Sequence, residues 1–230
     1  MGTNNSGTGK TATVIGATGL IGKQLVQLLS EQSPFDTVRV LVRRPVPYPD
    51  PVIQVREIDF SDHAAFRSAI AGSDAVFCAV GTTTRKVKGD RAAYRKVDHD
   101  IPVHAAQYCQ EAGCHGFLLV SSIGASSNSS TYYLRLKGEV EDALKGMTIP
   151  SVSVFRPSLL MGKREEYRFG ERMAQMVMGP AAFAVPSKYK PIRASDVARA
   201  MLAASKQERP GFHLYHYREM RELIQQENNQ

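Results

Sequence analysis

"SGTGKTATVIGATGLIGKQL", residues 6–25, sets two glycine-rich phrases almost end to end, and they predict different chemistry. Gly9-Lys10-Thr11 ends like the phosphate cradle of ATP and GTP enzymes, while Gly16-Ala-Thr-Gly19-Leu-Ile-Gly22 reads as a dinucleotide-binding turn. The cradle requires G-x-x-x-x-G-K-[ST] after a strand and before a helix. Its first glycine would fall on Asn4, and nothing ahead of it reads as a strand. The β-branched run Thr11-Ala-Thr-Val-Ile15 reads as a strand itself, so Lys10 and Thr11 enter a strand and open no helix. The second phrase has the right surroundings. A strand feeds Gly16, and Leu25, Val26, Leu28 and Leu29 recur at helical spacing after Gly22. Glycine is needed where the chain turns sharply, where backbone nears a pyrophosphate and where helix packs on sheet. Amide groups at the helix start then face the phosphates, aided by the helix dipole.

Outward from this stretch, strands alternate with helices. Further strands are expected at 37–42, 52–58, 75–80, 117–120 and 151–155, with helices at 64–71, 91–112 and 132–144. That order predicts an α/β fold, a doubly wound parallel sheet (Rossmann fold) with helices on both faces. One domain is expected over residues 11–230, with residues 162–191 as a small C-terminal substrate or lid region. Residues 191–198 read as a helix start capped by Ser195 or Asp196, and the tail as a strand followed by a frayed polar helix. Residues 1–10, rich in Gly, Asn, Thr and Ser, are expected to be disordered; they read as an expression remnant, although their start formally fits a myristoylation signal.

Composition sets limits. The 230 residues are 43% hydrophobic and 22% charged, as in ordinary globular proteins. No apolar run is long enough to span a bilayer, and the N-terminus lacks a secretory pattern, so a cytoplasmic protein without a membrane partner is expected. The net charge is +7, but the basic residues are dispersed and form no stripe, so no nucleic-acid partner is expected. Cys78, Cys109 and Cys114 lack paired spacing and read as buried free thiols, and the histidines lack ligand spacing, so no metal is expected.

Ligands of parallel sheets bind beyond the carboxyl ends of the strands. The second strand ends in Arg43-Arg44, where NAD-preferring sites place an acidic residue to hold the ribose 2′-OH. A guanidinium fork suits a 2′-phosphate dianion, which points to NADP(H). The other reading is two solvated arginines opening a loop. In "SSTYYLRLKGEVE", Tyr133 and Lys137 stand at i and i+4, hence on one helix face. An ammonium beside a phenol stabilises the phenolate and equips it for proton transfer near neutrality. Ser121-Ser122 ends a strand, where a hydroxyl can hold a substrate carbonyl. Together these form a Ser-Tyr-Lys site for carbonyl reduction, with hydride from the cofactor. The alternative is a packing tyrosine beside a surface lysine.

GATGLIG, LVRR, Asp59-Phe60, CAVGTTT, LVSSIGAS, Tyr133-x3-Lys137 and FRPSLLMG occur in an order that resembles atypical or extended-type short-chain dehydrogenase/reductases. Within them the chain is most similar to the small Tat-interacting-protein-like oxidoreductases, over roughly residues 11–205. The resemblance implies that Gly16, Thr18, Gly19, Leu20 and Ile21 line the pyrophosphate and that Gly22 packs helix on sheet. It implies that Asp59 and Phe60 flank adenine and that Ala79, Val80 and Gly81 lie along the adenosine side. Tyr133 and Lys137 would touch the nicotinamide ribose, Pro157, Ser158 and Leu159 the nicotinamide, and Ser122 would be the catalytic serine. The chain departs from the larger superfamily at Asp98. Many members carry an asparagine there, and a carboxylate cannot donate the amide hydrogen bond of their proton relay.

The substrate is expected to be a small molecule, and the protein a monomer or homodimer. Arg164 and Arg168 read as a solvated helix face or an anion contact, and residues 173–178 as a methionine-rich core or an adaptable surface. Two other functions remain open at this stage: an NADP(H)-binding redox sensor without turnover, and a nucleotide-sugar epimerase-like enzyme.

Overall fold

The computed structural model describes residues 9–83, 87–161, 186–207 and 209–229. The opening stretch folds as a strand β1 (Thr11–Ile15), a glycine turn and a helix α1 (Leu20–Gln32). The pattern then continues through β2 (Thr37–Val42), β3 (Ile53–Glu57), α2 (His63–Ile70) and β4 (Ala75–Cys78). Next come α3 (Arg91–Arg95), a π-helical turn (Lys96–Asp100), α4 (Ile101–Glu111), β5 (Gly116–Val120), α5 (Tyr132–Lys145) and β6 (Ser151–Phe155). The chain closes with β7 (Leu160–Met161), β8 (Ile192–Arg193), α6 (Ala194–Gln207), β9 (Gly211–Tyr215) and α7 (Tyr217–Asn228).

Seven strands form one parallel sheet in the order β3-β2-β1-β4-β5-β6-β9. The expected doubly wound α/β architecture is therefore present. All five residues of β1 are buried, as a central strand covered on both faces requires. On one face, α1 and α6 pack through Leu25, Leu29, Val197 and Met201, and α7 joins them through Leu223. On the other, α2, α4 and α5 pack through Phe66, Ile70, Ala105, Cys109, Val140 and Leu144. Cys78, Cys109 and Cys114 are all buried and unpaired, as their spacing indicated.

Three expectations need correction. The single helix read over 91–112 is two helices joined by the π-helical turn. Pro102 has no N–H to return to the carbonyl of Asp98, and the Ile101 N–H reaches back five residues to the carbonyl of Lys96. Helix α6 starts at Ala194, directly after β8, so Ser195 and Asp196 lie inside its first turn and do not cap it. Asp196 instead meets Arg221 of α7 at 3.4 Å. The tail helix is anchored at its start: His216 and Glu219 form a capping box, and Met220, Leu223 and Ile224 are buried. Three apolar positions at helical spacing suffice to dock an otherwise polar helix.

Of the segment expected to be disordered, residues 1–10, residues 1–8 lie outside the described residues, whereas the Lys10 N–H donates to Asp36 at 2.7 Å. Of the expected substrate region, residues 162–185, with Arg164, Arg168 and the methionine-rich stretch, also lie outside the described residues.

Candidate active site

The strand order reverses between β1 and β4, and the glycine turn after β1 sits at that switch point. Gly16 has φ +88°, and a Cβ there would lie 2.6 Å from the Ala79 carbonyl carbon. A Cβ on Gly22 would lie 2.1 Å from the Gly16 carbonyl oxygen. The two glycines let the turn fold onto its own helix while the loop after β4 passes close by. Gly19 is the N-cap of α1 and offers no side chain to its first amides, and the first turn carries no acidic residue. Thr18 is exposed, Leu20 half-buried and Ile21 buried. An uncapped, uncharged helix start over a glycine cradle fits the pyrophosphate of a dinucleotide.

The other predicted residues lie on successive strand ends. Arg43 and Arg44 follow β2, both exposed. Asp59 and Phe60 follow β3. Ser61 donates to Asp59 through both its N–H, at 2.9 Å, and its hydroxyl, at 2.7 Å, which hold the carboxyl below its usual range. The Phe60 ring stands edge-on to Phe66 at 4.9 Å. Ala79, Val80 and Gly81 follow β4, with the Ala79 N–H donating to the Ile15 carbonyl at 2.8 Å. Ser122 follows β5, and Pro157, Ser158 and Leu159 follow β6. A pocket draws together Leu20, Val80, Ser122, Tyr133, Lys137, Pro157, Ser158 and Leu159. Arg43, Arg44, Asp59 and Phe60 stay outside it, toward the β2–β3 side of the sheet.

Inside the pocket, Tyr133 and Lys137 are one helical turn apart on α5, with the ammonium 6.0 Å from the phenol ring centroid. Gly138 seats this helix: a Cβ there would lie 2.1 Å from the Ser126 carbonyl carbon, so α5 lies directly on the loop leading from Ser122. The Lys137 Nζ is 3.2 Å from Asp98 Oδ1, and both side chains are almost fully buried. Burial draws the Lys137 pKa down, but the facing Asp98 carboxylate, followed by Tyr133 and Cys78, outweighs it, and the net shift is upward. The other Asp98 oxygen accepts the Thr82 N–H at 2.7 Å.

The two serines after β5 divide. The Ser121 hydroxyl donates to Glu141, whose carboxylate also takes the guanidinium of Arg156. The Ser122 hydroxyl makes a 3.3 Å contact to the neighbouring Ile123 carbonyl. The Ser158 hydroxyl donates to the Lys190 carbonyl, tying the loop after β6 to the segment before β8. Val120 and Leu160 also line the pocket, and sequence reasoning passed over them. Val120 could have been found as the last apolar residue before the serine pair. Glu141 and Arg156 carried no local signal, because their partnership spans two elements.

Residues 16–208 match the model of the NAD(P)H-binding family. Protein HTATIP2 of Rattus norvegicus is 34% identical over 196 residues, covering 84% of this chain and 80% of the relative. Protein FMP52, mitochondrial, of Debaryomyces hansenii is 34% identical over 196 residues, covering 82% and 84%. Among solved structures, MoeE5 in complex with UDP-glucuronic acid and NAD superposes with a TM-score of 0.69 at 17% identity, over 90% of this chain and 76% of that one. A UDP-N-acetylglucosamine 4-epimerase from Methanobrevibacter ruminantium M1 also gives 0.69, at 14% identity and the same coverage. These two likenesses establish the fold, which many reactions share.

The cytoplasmic expectation does not stand: FMP52 relatives from several fungi are named as mitochondrial. Composition reports the solvent a surface faces, and different aqueous compartments select the same surface. Both the family match and the relatives cover most of the chain, and the glycine turn, strand order and strand-end pocket agree with them; the chain belongs, with HTATIP2 and FMP52, to the NAD(P)H-binding Rossmann family.

Proposed function

We propose that the chain is an NADP(H)-dependent oxidoreductase of the short-chain dehydrogenase/reductase type, acting on a small carbonyl or alcohol. The observation that carries this reading is the pairing of Tyr133 with Lys137 one turn apart on α5, both lining the pocket that Ser122 also lines. The residues fit a dinucleotide. Gly16, Thr18, Gly19, Leu20 and Ile21 would hold the pyrophosphate at the start of α1, and Arg43 and Arg44 a 2′-phosphate. Asp59 and Phe60 would flank the adenine, and Ala79, Val80 and Gly81 the adenosine side. Pro157, Ser158 and Leu159 would border the nicotinamide, with Ser158 contributing backbone because its hydroxyl is bonded to Lys190. When bound, the nicotinamide supplies or accepts the hydride.

The chain's own groups then handle the proton and the geometry. The Tyr133 hydroxyl gives its proton to the substrate oxygen in reduction and takes it back in oxidation. Lys137 favours the phenolate left behind. Ser122, not Ser121, is the serine whose hydroxyl can turn to the substrate oxygen, because Ser121 is bonded to Glu141. Leu20, Val80 and Leu159 keep water from the reacting atoms.

Two measurements test the reading. Fluorescence titration with NADPH and NADH is expected to give tight binding of the first and weak binding of the second; equal affinities would remove the role given to Arg43 and Arg44. A carbonyl panel with NADPH is expected to yield a substrate whose turnover Tyr133→Phe abolishes while cofactor binding persists. Unchanged turnover in that variant would take Tyr133 out of the mechanism. Tight NADPH binding with no turnover on any carbonyl is what a non-catalytic redox sensor would give.

A further inference from the structure

Asp98 occupies the π-helical turn, and its side chain points inward between two other elements. One carboxylate oxygen accepts the Thr82 N–H from the loop after β4, at 2.7 Å. The other lies 3.2 Å from the Lys137 ammonium. Asp98 is 1% exposed and Lys137 3%. The groups facing Lys137 are the Asp98 carboxylate from the π-helical turn, the Cys78 thiol from β4 and the Tyr133 phenol from its own helix. Burial pushes the Cys78 thiol up to about 11, so it carries no charge at physiological pH. Asp100, two residues on, is engaged elsewhere, with His99 at 2.8 Å and Arg95 at 3.8 Å.

We propose that Asp98 is a positioning residue: it is the counter-ion that holds the buried Lys137 protonated and pins it, through the Thr82 amide, to the loop after β4. An ammonium removed from water without a partner gives up its proton. A carboxylate at this distance reverses that preference. An asparagine in its place would still accept the Thr82 N–H but would bring no charge. The choice of Asp over Asn therefore sets the charge of Lys137 as well as its position. The consequence for turnover rests on the function proposed above. The cation beside Tyr133 and the loop assigned to the adenosine side would move as one unit.

The test is an NMR titration of the Lys137 ammonium in the full chain, with Lys137→Arg identifying its resonance. In the wild type it is expected to titrate above 10.5, the ordinary lysine value. In Asp98→Asn it is expected to titrate below that value, by about one pH unit or more. In Asp100→Asn it should follow the wild type. Coincident titrations in Asp98→Asn and wild type would overturn the proposal. If Asp98→Asn does not fold, the double variant Asp98→Asn/Lys137→Met decides. Recovered folding supports a charge pair, since removing both partners leaves no buried charge uncompensated; a double variant as unstable as the single one overturns it. Neither measurement uses cofactor or substrate, so each stands apart from a failed NADPH titration or an active Tyr133→Phe.

Discussion

Gly22→Ala tests the glycine turn at its tightest point. The added methyl would lie 2.1 Å from the Gly16 carbonyl oxygen, 2.7 Å from its carbon and 2.8 Å from the Ala17 Cα. All three are backbone atoms and cannot rotate away, so the start of α1 must shift by about 1 Å to reach ordinary contact. Overpacking of this kind costs about 1–3 kcal/mol. Better helix propensity returns about 1 kcal/mol, leaving a net loss of up to about 2 kcal/mol. The same shift displaces the first amides of α1, and an affinity loss of tenfold or more is expected, about 1.4 kcal/mol. Urea denaturation reads the stability and NADPH fluorescence the affinity. Gly72→Ala is the control: Gly72 has φ +72° with nothing within 4 Å, far from the turn. It should lose about 1 kcal/mol through backbone strain and bind NADPH like the wild type. A Gly22→Ala protein as stable as wild type, with affinity within about twofold of it, would falsify the close-packed reading of the turn.

Other outcomes are equally specific. Glu141→Gln removes the carboxylate shared by Arg156 and Ser121, and the loss is expected to be about 2–3 kcal/mol, read as a lower urea midpoint; an unchanged midpoint would show that the pair contributes nothing. Arg43→Ser combined with Arg44→Ser should weaken NADPH by about tenfold and leave NADH unaffected, and parallel losses for both cofactors would rule out a 2′-phosphate contact. Burial, followed by His63, lowers the His104 pKa from 6.5. The unfolded chain then binds the extra proton first, so stability present above pH 6.5 declines as the pH falls through the folded value. The urea midpoint should drop less on acidification in His104→Gln than in the wild type, and identical slopes would refute that assignment.

Local patterns carried much of the architecture. Short apolar runs between turn residues located β1 to β6, α2 and α5 were read to within a residue or two, and α1 was recognised from Leu25, Val26, Leu28 and Leu29 at helical spacing. The candidate site was legible for the same reason: in a parallel sheet its residues are those that end strands, and the strands could be found. Tyr133 and Lys137 needed one helix and nothing further.

What the residues alone left open depends on segments far apart in the chain. Ser121 and Ser122 are equivalent in the sequence until α5 brings Glu141 to one of them. Asp98 was legible as a departure, but its partners were not, because Pro102 had to break the helix before the carboxylate could reach Thr82 and Lys137. The last helix read as polar until α6 gave Met220, Leu223 and Ile224 a face to pack on. Backbone preference and hydrophobic period act over a few residues, so the sequence by itself determined the elements and their order. Charge pairing and packing act across space, so which serine is bonded away, where Asp98 points and what the tail covers were decided only by the tertiary structure.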